Sequence, residues 1–140
     1  MQQYYLYIMN KECFSKYYHK SYVLYDFLKE YKRLHHNKLY QRQFHFITQP
    51  VPTEKIYQYL VMNSNLTIKK NRNGFLLEDG NIRIKIERKR KEWMIDANCI
   101  HELEMFLFDY LRELDYPFFV VNFTESQYGW LSLRQKEFAL

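Results

Sequence analysis

Runs of strand-forming residues and stripes of helical spacing alternate along the chain. Tyr4-Tyr5-Leu6-Tyr7-Ile8-Met9 is an unbroken run of strand formers, which predicts a strand buried on at least one face. Asn10 then offers a helix N-cap ahead of Lys11 and Glu12. At about 100° of rotation per residue, Cys13, Tyr17, Leu24, Leu28 and Tyr31 fall on one narrow stripe, the expected core face. Phe14, Tyr18 and Tyr25 fall about 80–100° round from it, on the flank. Ser21 offers a second cap, so two helices meeting near His19 and Lys20 fit the same pattern.

Arg33 to Gln41 is polar and basic and reads as a loop. Gln43-Phe44-His45-Phe46-Ile47-Thr48 alternates, which predicts a strand with Gln43 and His45 outward, ended by Pro50 and Pro52. Thr53, Glu54 and Tyr57-Leu60-Val61 predict a short capped helix. Leu66–Ile68, Gly74–Leu77 and Ile82–Ile86 predict strands joined by the turn sequences Asn71-Arg72-Asn73-Gly74 and Glu78-Asp79-Gly80-Asn81, with Trp93–Ile95 a possible fourth. Asn98 opens an amphipathic helix with Ile100, Leu103, Phe106, Leu107, Tyr110, Leu111 and Leu114 inward. Pro117 ends it, Phe118–Val121 predicts a buried strand, and Tyr128-Gly129-Trp130-Leu131 follows. The order β-α-β-α-β-β-β-α-β predicts an α+β fold: a mostly antiparallel sheet with helices packed against it. With no linker or repeat, residues 1–140 read as a single domain.

Composition narrows the function classes. An apolar share of 47% against 26% charged excludes an extended disordered chain. The 14 Tyr, 11 Phe and 2 Trp are more rings than a core of this size needs, which points to an interaction surface. A net charge of +5 permits an acidic protein or a nucleic acid as partner without choosing between them. Cys13 and Cys99 are too few for a disulfide framework. No secretory signal or membrane-length apolar run is legible, so a soluble cytoplasmic protein is expected.

Candidate chemistry is sparse. Cys99-x-His101 is the closest Cys/His pair, and no second pair completes a zinc site among His19, His35, His36 and His45. Neither a Gly-x-Ser-x-Gly elbow nor a Gly-rich phosphate loop is present, and enzyme is the weakest class. The run Arg83, Lys85, Arg88, Lys89, Arg90 and Lys91 suits a nucleic-acid module, but its alternation with Ile82, Ile84 and Ile86 favours the wet face of a half-buried strand. Phe14 and Tyr18, spaced i, i+4, stand one above the other. Periodicity alone favours their completing a wide core stripe; the sharper reading is an aromatic anchor for a protein partner.

Tyr4-Tyr5-x-Tyr7 leading into Lys11-Glu12-x-Phe14-x-x-x-Tyr18 resembles the start of the SirA family, the sporulation inhibitors of replication. Gln43-x-x-Phe46-Ile47-Thr48-Gln49-Pro50-x-Pro52, the piece around Leu60-Val61-Met62-Asn63 and Tyr128-Gly129-Trp130-Leu131 continue the resemblance in order, with Thr67 to Asp96 the least distinctive stretch. The resemblance implies a cytoplasmic protein without enzymatic activity or cofactor, acting on the replication initiator DnaA by binding its N-terminal domain I. Direct nucleic-acid contact, membrane association and a small-molecule substrate are not expected. The family's aromatic pair falls on Phe14 and Tyr18, and its strand glutamine on Gln43. Where the family carries a tyrosine this chain has Phe46, which keeps the ring and loses the hydroxyl. His45, outward beside Gln43 on the predicted strand, is expected to supply a polar contact next to the rings, and Lys11 and Ser15 complete the expected partner-binding set. The alternative is a small basic nucleic-acid-binding module built on Arg83 to Lys91.

Overall fold

The computed structural model describes residues 1–131. Strand β1 (Gln2–Met9) is followed by helices α1 (Lys11–Tyr17), α2 (Ser21–Arg33) and α3 (Lys38–Ile47). A two-residue strand β2 (Thr48–Gln49) and helix α4 (Thr53–Asn63) lead to a meander of β3 (Thr67–Asn71), β4 (Gly74–Asp79), β5 (Ile82–Arg88) and β6 (Trp93–Ala97). Helix α5 (Ile100–Leu103) runs through a π-helical turn (Glu104–Phe108) into α6 (Asp109–Leu111), and β7 (Phe118–Asn122) pairs with β8 (Gln127–Leu131).

All strands join one sheet in the order β3-β4-β5-β6-β1-β7-β8, with β2 on the end of β1, and every pairing is antiparallel. The α+β architecture expected from the pattern is the one observed. The first two hairpins of the meander turn at Arg72-Asn73 and Gly80-Asn81, where the sequence carries turn chemistry, and Gly80 has φ +61. At Gly74 a Cβ would lie 2.0 Å from the Ile86 carbonyl oxygen, so that strand approaches its neighbour too closely for any side chain.

Helices cover both faces of the sheet, which explains why its central strands are apolar on both sides. Tyr4, Leu6 and Ile8 of β1 point into a core with Ile56 and Leu60 of α4 and Leu103, Leu107 and Leu111 of the last helix. Tyr7 and Met9 point the other way, to Cys13 of α1, Leu24, Tyr25 and Leu28 of α2, and Phe44 and Ile47 of α3. Strand β7 is buried along its whole length.

Three expectations need correction. Gln43 to Ile47 is the end of a helix, not a strand, and only Thr48 enters β2: Phe44 and Ile47 face the core, Tyr40 one turn before Phe44 stacks on Phe27, and Asn37 caps α3 by accepting from the amides of Leu39 and Tyr40. Alternation of aromatic and polar residues over only five positions satisfied a period of two by chance, while the helical period ran back into a stretch read as loop. That loop, expected over Arg33 to Gln41, therefore contracts to residues 34–37. Tyr25, expected on the flank, is buried at 7% exposure because β8 brings Tyr128 against it, ring centroids 4.5 Å apart. The junction of two helices near His19 and Lys20 is observed, without a side-chain cap.

Candidate functional site

Helix α1 is held by one asparagine. The Asn10 side-chain oxygen accepts from the Cys13 amide at 2.7 Å, and Cys13 is buried beneath the helix. Burial pushes the Cys13 thiol up to about 11, so it serves as a small apolar side chain rather than a nucleophile. With Cys13 inward, Lys11, Phe14, Ser15 and Tyr18 at i, i+3, i+4 and i+7 share the outer face.

Phe14 and Tyr18 are half-buried, and both rest on Trp130 of β8. Phe14 meets the indole edge-on at 4.8 Å, Tyr18 stacks on it at 6.3 Å, and the two rings meet each other at 5.2 Å. Trp130 is itself only 4% exposed, packs on Phe119 at 4.9 Å and donates from Nε1 to the Tyr18 carbonyl at 3.3 Å. The pair is therefore neither loose in solvent nor sealed within the core. Each ring is fixed from below and partly exposed, with the Tyr18 hydroxyl tucked out of solvent, a geometry that costs little further ordering on contact with a protein.

The same asparagine brings α3 to this face. Asn10 donates from its backbone to the Ile47 carbonyl at 2.8 Å and from Nδ2 to the Phe46 carbonyl at 2.7 Å, butting the last turn of α3 against the first turn of α1. Gln43 and Phe46, at i and i+3, lie on the exposed side of α3, and Phe46 is 68% exposed. A strand would set Phe46 on the same face as Phe44; in the helix Phe44 is core and Phe46 is surface. His45 departs from the group. It lines a separate cleft of about 520 Å³ with Tyr31, Lys32, His35 and the Lys89–Glu92 turn.

That cleft is a structural joint. Glu92, buried at 7% exposure, accepts from the Tyr7 hydroxyl at 2.8 Å and pairs with Lys32. Lys91 donates to the carbonyls of His45 and Thr48 at 3.0 and 3.1 Å. Further along the basic run, Arg83 lies 3.3 Å from Glu78 and Lys85 3.3 Å from Glu87. Most cations of the run thus have partners within the chain, Arg83, Lys85 and Lys89 in surface ion pairs and Lys91 on two carbonyls, leaving Arg88 and Arg90 as its exposed, unpaired members among the described residues. Among the described residues, no group of three or more His, Cys, Asp or Glu side chains is placed to hold a metal ion. No helix among them is long and apolar enough to cross a membrane.

Sequence reasoning identified the aromatic pair but not its support. Trp130 lies in a segment to which the sequence pattern assigns no element, and nothing local connects it to a helix 112 residues earlier. A family model described as "Sporulation inhibitor of replication protein SirA" matches residues 2–134 of this chain. A protein of Bacillus subtilis (strain 168) carrying that same description is 27% identical over 144 residues, covering 94% of this chain and 93% of the relative.

Proposed function

The chain belongs to the SirA family of sporulation inhibitors of replication, and from that premise we propose that it acts by binding domain I of the initiator DnaA through the outer face of α1. The observation that carries this reading is the Phe14–Tyr18 pair, packed on Trp130 and left half-exposed on the outer face of α1. Buried aromatic anchors dominate protein interfaces, and truncating one commonly costs about 2 kcal/mol or more. Since each 1.4 kcal/mol is tenfold in affinity, two such rings separate a tight complex from a negligible one. Gln43 and Phe46, delivered by the Asn10 joint, extend the contact, and Lys11 and Ser15 border it. His45 lies outside it. The inhibitor works by occupancy, without catalysis or cofactor, in the cytoplasm where the initiator acts.

Co-elution of the chain with purified DnaA domain I tests the reading. The wild-type chain forms a complex, while Phe14→Ala or Tyr18→Ala elutes alone although still folded. Complex formation undiminished by both substitutions overturns it.

A further inference from the structure

The turn from strand to helix at α3 exposes a residue that neither the periodicity nor the resemblance singled out. Leu39 is 70% exposed, Phe46 is 68% exposed, and the two lie seven residues apart, almost two full helical turns. They therefore share one stripe, about 10 Å long, with Arg42 and Gln43 between them. The opposite side of α3 is accounted for by Tyr40, Phe44 and Ile47. An amphipathic helix that buries one apolar side and shows a second is the pattern of a helix with two partners.

Resting on the reading of α1, with Gln43 and Phe46, as the partner-binding face, we infer that the α3 arm of that face runs on to Leu39 and that Leu39 is its distal anchor. Three observations bind the stripe to that occupant. The carbonyls of Phe46 and Ile47 are tied to Asn10, the N-cap of α1, so the stripe's near end adjoins Lys11 at the start of the aromatic face. Gln43, expected in the contact, lies on the stripe between its two apolar ends. Lys11, Lys38 and Arg42 border both arms, are exposed, and have no carboxylate partner among the described residues. The surface that fits is thus an apolar groove with an acidic rim, received by two helices rather than one. Of the other large exposed hydrophobics, Val61, Met62 and Met105 lie on elements covering the opposite sheet face, Met1 precedes β1, and Tyr22 lies on α2, off the α3 stripe.

The test compares full-length Leu39→Ala and Leu39→Glu with Phe14→Ala and with Met62→Ala, titrating DnaA domain I into each and recording melting temperature and solution mass. Leu39→Ala weakens binding at least fivefold, Leu39→Glu weakens it more, and Met62→Ala leaves it unchanged, all without lowering the melting temperature. If Phe14→Ala abolishes binding but both Leu39 variants bind as the wild type does, the distal anchor is refuted and the α1 reading stands. If Phe14→Ala binds normally, the α1 reading fails and the inference with it. A wild-type dimer that Leu39→Glu dissociates, with domain I affinity unchanged, assigns the stripe to a second copy of this chain and also overturns the inference.

Discussion

Phe14 and Tyr18 carry the functional claim, and their support on Trp130 sets what their removal does. A ring free in solvent would leave stability untouched on truncation. These rings lose an edge-on contact at 4.8 Å and a stacked one at 6.3 Å, so Phe14→Ala or Tyr18→Ala lowers unfolding free energy by about 1 kcal/mol. The loss in binding exceeds that several-fold, and urea melts run beside domain I titrations separate the two effects. At the same scale, Cys13 is expected to resist modification. A thiol pushed up to about 11 is about one part in a thousand thiolate at pH 8, so iodoacetamide labels Cys13 in urea but not in the native protein. Labelling at equal rates in both states, read by mass spectrometry, contradicts the burial. Both rings were legible in the sequence as flank positions, because Cys13 and Tyr17 define the core direction of α1 locally. Trp130 was not, since packing across 112 residues leaves no periodic trace.

The elements differ in how far local pattern reveals them. The β3–β4 and β4–β5 hairpins were legible because two-residue turns need residues such as Asn and Gly at fixed places. Helix α3 was not, because Phe44 and Phe46 are two apart and imitate a strand, whereas the spacing that decides runs from Tyr40 through Phe44 to Ile47. That one misreading placed Phe46 beside Phe44 and concealed the stripe with Leu39. The joint between α1 and α3 depends on Asn10, whose oxygen caps α1 and whose Nδ2 holds α3. Asn10→Ala removes both contacts and costs about 1–2 kcal/mol, measured as a lowered melting temperature. Asn10→Asp keeps the cap and loses only the bond to Phe46, so it recovers part of that loss. Equal melting temperatures for wild type and Asn10→Ala show that neither contact matters.

On the scale of the molecule, a sheet covered by helices on both faces shuts water out of β7 and the second half of β1, and polar groups there depend on one another. Tyr7 is the sharpest case. Burial, and then the charge and hydrogen bond of Glu92, hold its hydroxyl well above the ordinary tyrosine value of 10.0. In the unfolded chain Tyr7 releases its proton near pH 10, while the folded protein keeps it. The folded state then binds more protons, and stability falls as pH rises past about 10, by up to about 1.4 kcal/mol per unit from this group. Tyr7→Phe removes that contribution, so urea melts at pH 9 and pH 11 show a smaller difference for the variant than for the wild type. An equal difference refutes it. The engagement of Lys32, Lys89 and Lys91 in the joint around Glu92 leaves the aromatic face of α1, bordered by cations, as the surface best suited to a partner. The most direct measurement is side-chain footprinting by hydroxyl radicals with and without DnaA domain I. Protection of Phe14 and Tyr18, with Met62 and Met105 modified equally in both samples, is the predicted result; unchanged modification of Phe14 and Tyr18 in a saturated complex contradicts it.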